Sequence, residues 1–252
     1  MSFLENMKIN TALILAGGRG TRFKEQTETI PKPMIKANGK PLLDYIINSY
    51  SIFGVKKIII LGGYKQEVIY DYYKKLGKST NNKNIFIIDN NIEVKILDTG
   101  VETGTAGRVK AGIKEIDENF FYLTYGDGIA NVDIKKLTIF HFNSNAIGTV
   151  TAVRPPARFG SLKLNKDYVT DFAEKDLASE GYINGGFFVF SKELDKYLID
   201  INEPLEQQPL KQLAANNNLR AYKHSGYWRP VDTIRELEIL ENDLNENKLA
   251  YE

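Results

Sequence analysis

The 252-residue chain carries 33 basic against 32 acidic side chains, a formal net charge of +1, which excludes a global field able to gather nucleic acid or an anionic membrane surface. It has no cysteine, so disulfides and thiolate chemistry are excluded and a reducing, cytoplasmic setting is compatible. No apolar run approaches the length of a membrane span, MSFLENMKIN is not a signal peptide, and the length suits one α/β domain over residues 7–252 behind a short 1–6 extension.

In chain order, Leu13, Ile14 and Leu15 read as a buried strand that runs into Gly17, Gly18 and Gly20 of GGRGTR. PLLDYIINSYSIFG places Leu43, Ile46, Ile47 and Tyr50 on one helical face, with Gly54 as the stop. KKIIILGGY reads as a second buried strand and KQEVIYDYYKKLG as a second helix ending at Gly77. The Lys/Asn-rich stretch 78–84 reads as a mobile loop. NIFIID and EVKILDTG follow as short strands, AGRVKAGIKEI as a helix, and FFYLTYGDG as a further buried strand. This alternation argues a parallel sheet covered on both faces. Beyond residue 145 IGTVTAV, GSLKL and GGFFVF are strands with few long helices between them, and the amphipathic TIRELEILENDLNE closes the chain. The expected fold is therefore α/β, a Rossmann-like, doubly wound mixed sheet over about 7–145 with a smaller β region over about 146–252.

Ligands of open α/β sheets gather beyond the carboxyl ends of the strands, and GGRGTR, GGY, DTGVETGTAGR and TYGDG all fall at such ends. Glycines there let backbone N–H groups approach an anion, although GGRGTR alone is equally a tight turn. It loosely fits the dinucleotide fingerprint G-x-G-x-x-G, but Phe23 replaces the last glycine and Arg22, a bidentate phosphate donor, precedes it. Lys32 stands between Pro31 and Pro33, which stiffen its backbone; it reads as an exposed loop lysine or as an ammonium held against phosphate. Asp127, between glycines at a strand end, and Asp232, beside Thr233 and Glu236, are two hard carboxylates of the kind Mg²⁺ combines with substrate phosphates. Taken singly, they are a turn residue and an acid at a helix start with a capping box. His141 and His224 have no ligand-like spacing.

LAGGRGTRF, PKPM and GKPLLDY together resemble the nucleotidyltransferases that join a nucleoside triphosphate to a sugar 1-phosphate, enzymes of GT-A-like architecture. DTG…TAGR, TYGDG, RFGSL, EK, INGGFF, EQQPL and GYWRPVDT, in that order, are closer to the glucose-1-phosphate cytidylyltransferase branch. The likeness runs from Lys8 to about Leu244. It implies that a phosphate oxygen of the acceptor attacks the α-phosphorus of CTP in line, expelling pyrophosphate and giving a CDP-linked product. It implies Lys32 and Arg22 as catalytic residues, with Asp127 and Asp232 holding Mg²⁺. Leu15, Ala16, Gly17, Gly18, Gly20, Thr21, Gly104, Thr105, Arg108 and Gly126 would bind the nucleotide, the segment Gly104–Arg108 reading the base. Tyr125, Glu174, Lys175, Asn184 and Gly185 would bind the acceptor, with Lys175 on its phosphate. Arg158 and Trp228 are placed near the acceptor without a firm role, Trp228 being equally a core residue. Asp176 stands where relatives often carry proline, and the chain is short between NNIEV and KILDTG. These departures leave a non-sugar phosphate such as phosphoglutamine as an alternative acceptor, and a homo-oligomeric state open. A nicotinamide dehydrogenase would want an acid after the second strand, where LGGY stands, and a metal-dependent glycosyltransferase would want a paired D-x-D that GDGIA lacks. A nucleotide-binding regulatory protein without turnover would be expected to have lost Lys32 or an aspartate. The expected setting is cytoplasmic, in capsule or lipopolysaccharide precursor synthesis.

Overall fold

The computed structural model describes residues 8–23, 27–155, 161–165, 168–173 and 181–251. Its strands are β1 (Thr11–Leu15), β2 (Lys36–Ala37), β3 (Lys40–Pro41), β4 (Lys57–Gly62), β5 (Lys78–Ser79), β6 (Ile85–Ile88), β7 (Ile92–Asp98) and β8 (Phe120–Tyr125). They continue as β9 (Gly128–Ala130), β10 (Gly148–Val153), β11 (Ser161–Asn165), β12 (Tyr168–Ala173), β13 (Ile183–Asn184), β14 (Phe188–Ser191), β15 (Leu219–His224) and β16 (Trp228–Pro230). The helices are α1 (Leu42–Ser51), α2 (Gln66–Leu76), α3 (Thr105–Ile113), α4 (Ile134–Phe142), α5 (Gln208–Ala215) and α6 (Ile234–Asn245).

The centre of the main sheet is parallel: β8, β1, β4 and β7 lie side by side, with Leu13 opposite Ile59 on one side and Leu123 on the other. Antiparallel pairs follow on both sides, although β15 joins β10 in parallel. β6 pairs β7 and carries β5, while β14 pairs β8. β10 receives β13 and β14 along one edge and β15 along the other. The sheet therefore runs continuously across the expected halves of the chain. β13 and β14 are one strand interrupted at Gly185–Phe187, where Gly186 (φ +74°) and Phe187 (φ +47°) are left-handed. Thr151 bonds both sides of the break, its N–H donating to Gly186 and its carbonyl accepting from Gly185.

Strand alternation sorts the core onto two faces. Ala12, Ile14, Ile58 and Ile60 pack toward α1, α2, α4 and α6, while Leu13, Leu15, Ile59 and Leu61 pack toward α3 and α5. The predicted face of α1 is the buried one: Leu43, Ile46, Ile47 and Tyr50 are all buried, and Gly54 follows in the left-handed conformation that closes the helix. Within the 78–84 stretch, expected to be a loop, residues 80–84 are the turn of a hairpin and only Lys78–Ser79 form a strand, β5. β5 pairs β6, and Thr80 Oγ1 accepts from Asn82 N–H and donates to the Ile85 carbonyl, so local polar side chains build the turn.

Candidate active site

The carboxyl ends of β1, β7 and β8 open onto one cavity of about 510 Å³. Leu15, Ala16, Gly17, Gly18, Gly20 and Thr21 form one wall and Gly104, Thr105 and Arg108 another. Tyr125, Gly126, Asp127, Lys32 and Asp232 complete it. The sequence therefore brought these fourteen residues to one place. The GGY loop after β4, expected on the same rim, does not line the cavity, and its Tyr64 N–H donates to the carbonyl of Gly17 in the wall. Gly20 needs its glycine: its φ is +61°, and a Cβ there would stand 3.0 Å from Thr27 and 3.1 Å from Lys32.

Lys32 corrects an expectation. It is not an exposed loop lysine but only 8 % exposed. Pro31 is extended, Pro33 sits at the start of a 3₁₀ turn over Lys32–Met34, and the whole turn is buried, so the prolines fix it inward. The ammonium donates to Asp127 Oδ2 at 2.7 Å and to Asp232 Oδ1 at 2.6 Å. Burial alone would lower the lysine pKa, but the two carboxylates outweigh it and the net shift is upward.

The two aspartates meet because β16 and β9 are antiparallel partners, Pro230 facing Gly128, and the Val231 N–H donates to the Asp127 carbonyl at 3.0 Å. Asp232 is held from the other side by α6. Thr233 caps that helix, accepting from Glu236 N–H at 3.2 Å, while Glu236 Oε2 accepts from the Asp232 N–H at 2.8 Å. This is the expected capping box, shifted by one residue so that it grips Asp232. Two carboxylates converging on one cationic point form a donor set suited to a hard divalent cation that completes its shell with water and phosphate oxygens. Among the described residues no third His, Asp or Glu joins them.

Arg108 is a second correction. Expected to read the base, it is 3 % exposed and its guanidinium is turned back into the loops. Nη1 donates to the Gly62 and Gly100 carbonyls and Thr99 Oγ1, and Nη2 to the Gly17 and Val101 carbonyls, at 2.6–3.1 Å. A Cβ at Gly17 would lie 2.1 Å from Nη1, so this glycine makes room for the arginine. Burial lowers the Arg108 pKa, with Asp98 opposing. The residue fastens the loops after β1, β4 and β7 to one another.

On the acceptor side Tyr125 lines the cavity, whereas Asn184 and Gly185 are not among its lining residues, Asn184 being exposed and Gly185 buried. Asn184 Nδ2 donates to the Tyr125 hydroxyl at 2.9 Å and its Oδ1 accepts from Gly186 N–H at 2.9 Å. Gly185 is packed against Val153 and Thr151, and its carbonyl accepts from Trp228 Nε1 at 2.8 Å. Asn184 thus touches the wall through Tyr125, and Gly185 is committed to Trp228 and its strand neighbours. The Arg22 side chain, Arg158, and the expected acceptor residues Glu174 and Lys175, together with Asp176, lie outside the described residues. His141 is buried on Thr149 and His224 faces the Tyr227 carbonyl, both away from the cavity.

Three residues escaped the sequence reading. Glu206 Oε1 accepts from the Tyr125 hydroxyl, and its other oxygen accepts from Thr105 Oγ1 at 3.4 Å. Burial, then Glu206, pushes the Tyr125 pKa far upward, so the phenol stays protonated. The stretch EQQPL carried the only signal for it. Arg19 of GGRG pairs with Glu102 of DTGVETG across the same cavity, which both line.

Comparison with known proteins places the chain. The Nucleotidyl transferase family model matches residues 11–246. A glucose-1-phosphate cytidylyltransferase of Salmonella typhimurium is 37% identical over 251 residues, covering 95% of this chain and 98% of that protein. A probable glucose-1-phosphate cytidylyltransferase of Bacillus subtilis is 39% identical over 236 residues, covering 90% and 92%. Among solved structures, HddC from Yersinia pseudotuberculosis superposes with a TM-score of 0.69 at 25% identity, covering 94% of this chain and 100% of that one. It is also known complexed with GMP-PN. A UDP-glucose pyrophosphorylase shares the fold, with a TM-score of 0.71 at 19% identity over 95% of this chain and 100% of its own. The chain belongs to the nucleotidyl transferase family, enzymes that transfer a nucleotidyl group.

Proposed function

We propose that the chain transfers CMP from CTP to the phosphate of a sugar 1-phosphate, glucose 1-phosphate first among them, releasing pyrophosphate and forming a CDP-sugar. The observation that carries this reading is the charged corner of Lys32, Asp127 and Asp232 at the foot of a glycine-walled cavity, in a chain 37–39% identical to glucose-1-phosphate cytidylyltransferases. The attacking phosphate oxygen is already anionic near neutral pH, so no general base is required. It forms a bond to the α-phosphorus as the bond to the bridging oxygen breaks, and pyrophosphate leaves with that electron pair. The protein contributes position and charge.

Asp127 and Asp232 would hold Mg²⁺, whose chemistry is to neutralise phosphoryl charge and orient the triphosphate. Backbone N–H groups of the Gly17–Thr21 segment, with Arg22, would secure the β and γ phosphates. Lys32, its stem already in the cavity wall, would face the α-phosphoryl oxygens where charge shifts. The Gly104–Thr105 end of α3 would lie along the base, with Arg108 holding that loop in shape. Glu174 and Lys175 would bring the acceptor, against a wall formed by Tyr125, which Asn184 touches. We read residues 7–252 as one domain with a nucleotide half and an acceptor half, acting in the cytoplasm, where CTP and sugar phosphates are made, to supply capsule or lipopolysaccharide precursors.

The test is incubation with each of the four nucleoside triphosphates, Mg²⁺ and a panel of sugar 1-phosphates plus phosphoglutamine, following pyrophosphate. The expected outcome is the highest kcat/KM with CTP and a hexose 1-phosphate. A decisive preference for phosphoglutamine would replace the acceptor and keep the donor, whereas preference for ATP or GTP would overturn both.

A further inference from the structure

We infer that in the ligand-free protein the Lys32 ammonium fills the place between Asp127 and Asp232 that a divalent cation takes in the loaded one, so that lysine and metal exchange rather than accumulate. This rests on the reading of Asp127 and Asp232 as the metal holders. One ammonium lies 2.7 Å from the first carboxylate and 2.6 Å from the second, so the point of convergence is already filled by a positive charge. A hard cation seeking the same oxygens must displace it. The displaced group has somewhere to go, since Lys32 and Pro33 both line the cavity and the lysine stem is flexible while its backbone turn is fixed.

Charge decides when the exchange is favourable. With Lys32 between them, the three side chains sum to −1. With a divalent cation on the carboxylates and the ammonium turned into the cavity, the same corner sums to +1. Without a polyanion this second arrangement takes the ammonium off both carboxylates and leaves it beside a bound divalent cation, a like-charge contact that is unfavourable. A triphosphate supplies a counter-ion. Metal and nucleotide are therefore coupled through Lys32, each raising the affinity for the other. The opposite wall repeats the arrangement on a smaller scale, because Arg19 is likewise held by a carboxylate, Glu102, that a phosphate could replace.

The experiment is Mn²⁺ binding to nucleotide-free protein at fixed ionic strength, by electron paramagnetic resonance, for wild type, Lys32→Gln and Lys32→Met. Wild type is expected to bind weakly and both variants to bind about tenfold tighter or more, since a like charge a few ångströms away has been removed. Adding Asp127→Asn to either variant should abolish the gain. Equal affinity in wild type and folded variants would overturn the inference, as would tight nucleotide-free binding by wild type. A parallel arm adds a non-hydrolysable CTP analogue. If the Mn²⁺ signal there is indifferent to Asp127→Asn and Asp232→Asn, the metal-site reading itself fails. If that signal responds but the Lys32 variants show no gain, only the exchange fails. Should the variants not fold, ¹⁵N-lysine spectra of wild type decide. The Lys32 ammonium resonance should keep its chemical shift with Mg²⁺ alone and move with Mg²⁺ plus the analogue, as its partners change from carboxylate to phosphate; movement with Mg²⁺ alone, or an unmoved resonance with both, would overturn the exchange.

Discussion

Lys32 and Arg108 line the same cavity and are buried to a similar degree, 8 % and 3 % exposed, yet they are compensated by different chemistry. Lys32 is met by two carboxylates from strand ends, side chains that can trade one cation for another. Arg108 is met by four backbone carbonyls and a hydroxyl, groups that belong to the loops themselves and have nothing to trade. The first arrangement is a working corner and the second a fastening. Burial and charge alone do not tell them apart; the identity of the partner does.

The comparison breaks most visibly at the corner. Asp127→Asn and Asp232→Asn should each lower turnover by on the order of 10³ or more, and Lys32→Ala by roughly 10²–10³, the loss of a preorganised group facing developing charge. The aspartate variants should melt near wild type, because Lys32 keeps its other carboxylate. Steady-state pyrophosphate release and thermal melting check both halves, and near-normal turnover in any of the three would remove that residue from the mechanism.

At the fastening the expected effect moves from turnover to stability. Arg108→Met strands buried carbonyls and should cost about 3 kcal/mol, with KM for the nucleotide raised as the loops drift. Arg108→Lys should rescue little, because an ammonium cannot reproduce the planar fork that reaches three loops. Denaturant unfolding measures this, and an unchanged midpoint would return Arg108 to a ligand-contacting role.

His141 extends the comparison to a buried base with no anionic partner among the described residues. Its ring meets the Thr149 hydroxyl, and burial lowers its pKa to about 4. Above pH 6.5 neither folded nor unfolded histidine is charged, so there is no differential. Between 6.5 and about 4 the unfolded chain binds a proton that the folded protein refuses, so stability falls as pH falls, by up to about 3 kcal/mol from this group. Melting curves across that window should steepen less in His141→Gln than in wild type; identical slopes would mean that the ring titrates normally when folded.

The smallest effect belongs to the wall. Tyr125→Phe removes the hydroxyl shared by Glu206 and Asn184 and should raise the acceptor KM by a few-fold, on the order of 1 kcal/mol, with kcat nearly kept. A loss confined to kcat would instead bring the phenol into the chemistry.

What the sequence disclosed was local. The run Leu13–Leu15 before GGRG, the face Leu43, Ile46, Ile47 and Tyr50, and the strand before GDG depend on neighbours within a turn or two, and their places in the fold followed. What it withheld was direction and distance. An arginine in the first turn of α3 reads alike whether it points to a ligand or back at Gly17 and Gly62. The flanking prolines announced that Lys32 is stiff without saying that it faces inward, toward partners 95 and 200 residues away. Glu206 reaches Tyr125 over 81 residues and leaves no periodic trace. The β5–β6 hairpin was hidden because its turn is made by Thr80 and Asn82, residues equally at home in a loop.

The pairing of β9 with β16 has a consequence for how such a protein can be varied. Asn131 N–H donates to the Tyr227 carbonyl and Val231 N–H to the Asp127 carbonyl, so the chain leaves the reacting corner and returns to it through one short ladder. The spacing of Asp127 and Asp232 is thus set by ladder register and is insensitive to how much chain is threaded between residues 131 and 227. That excursion holds the segments assigned to the acceptor, and its strands β10, β13, β14 and β15 belong to the main sheet, β14 pairing with β8 itself. Its connecting loops, rather than its strands, can be lengthened, shortened or replaced to suit a new acceptor, while the β9–β16 ladder keeps the two aspartates in place.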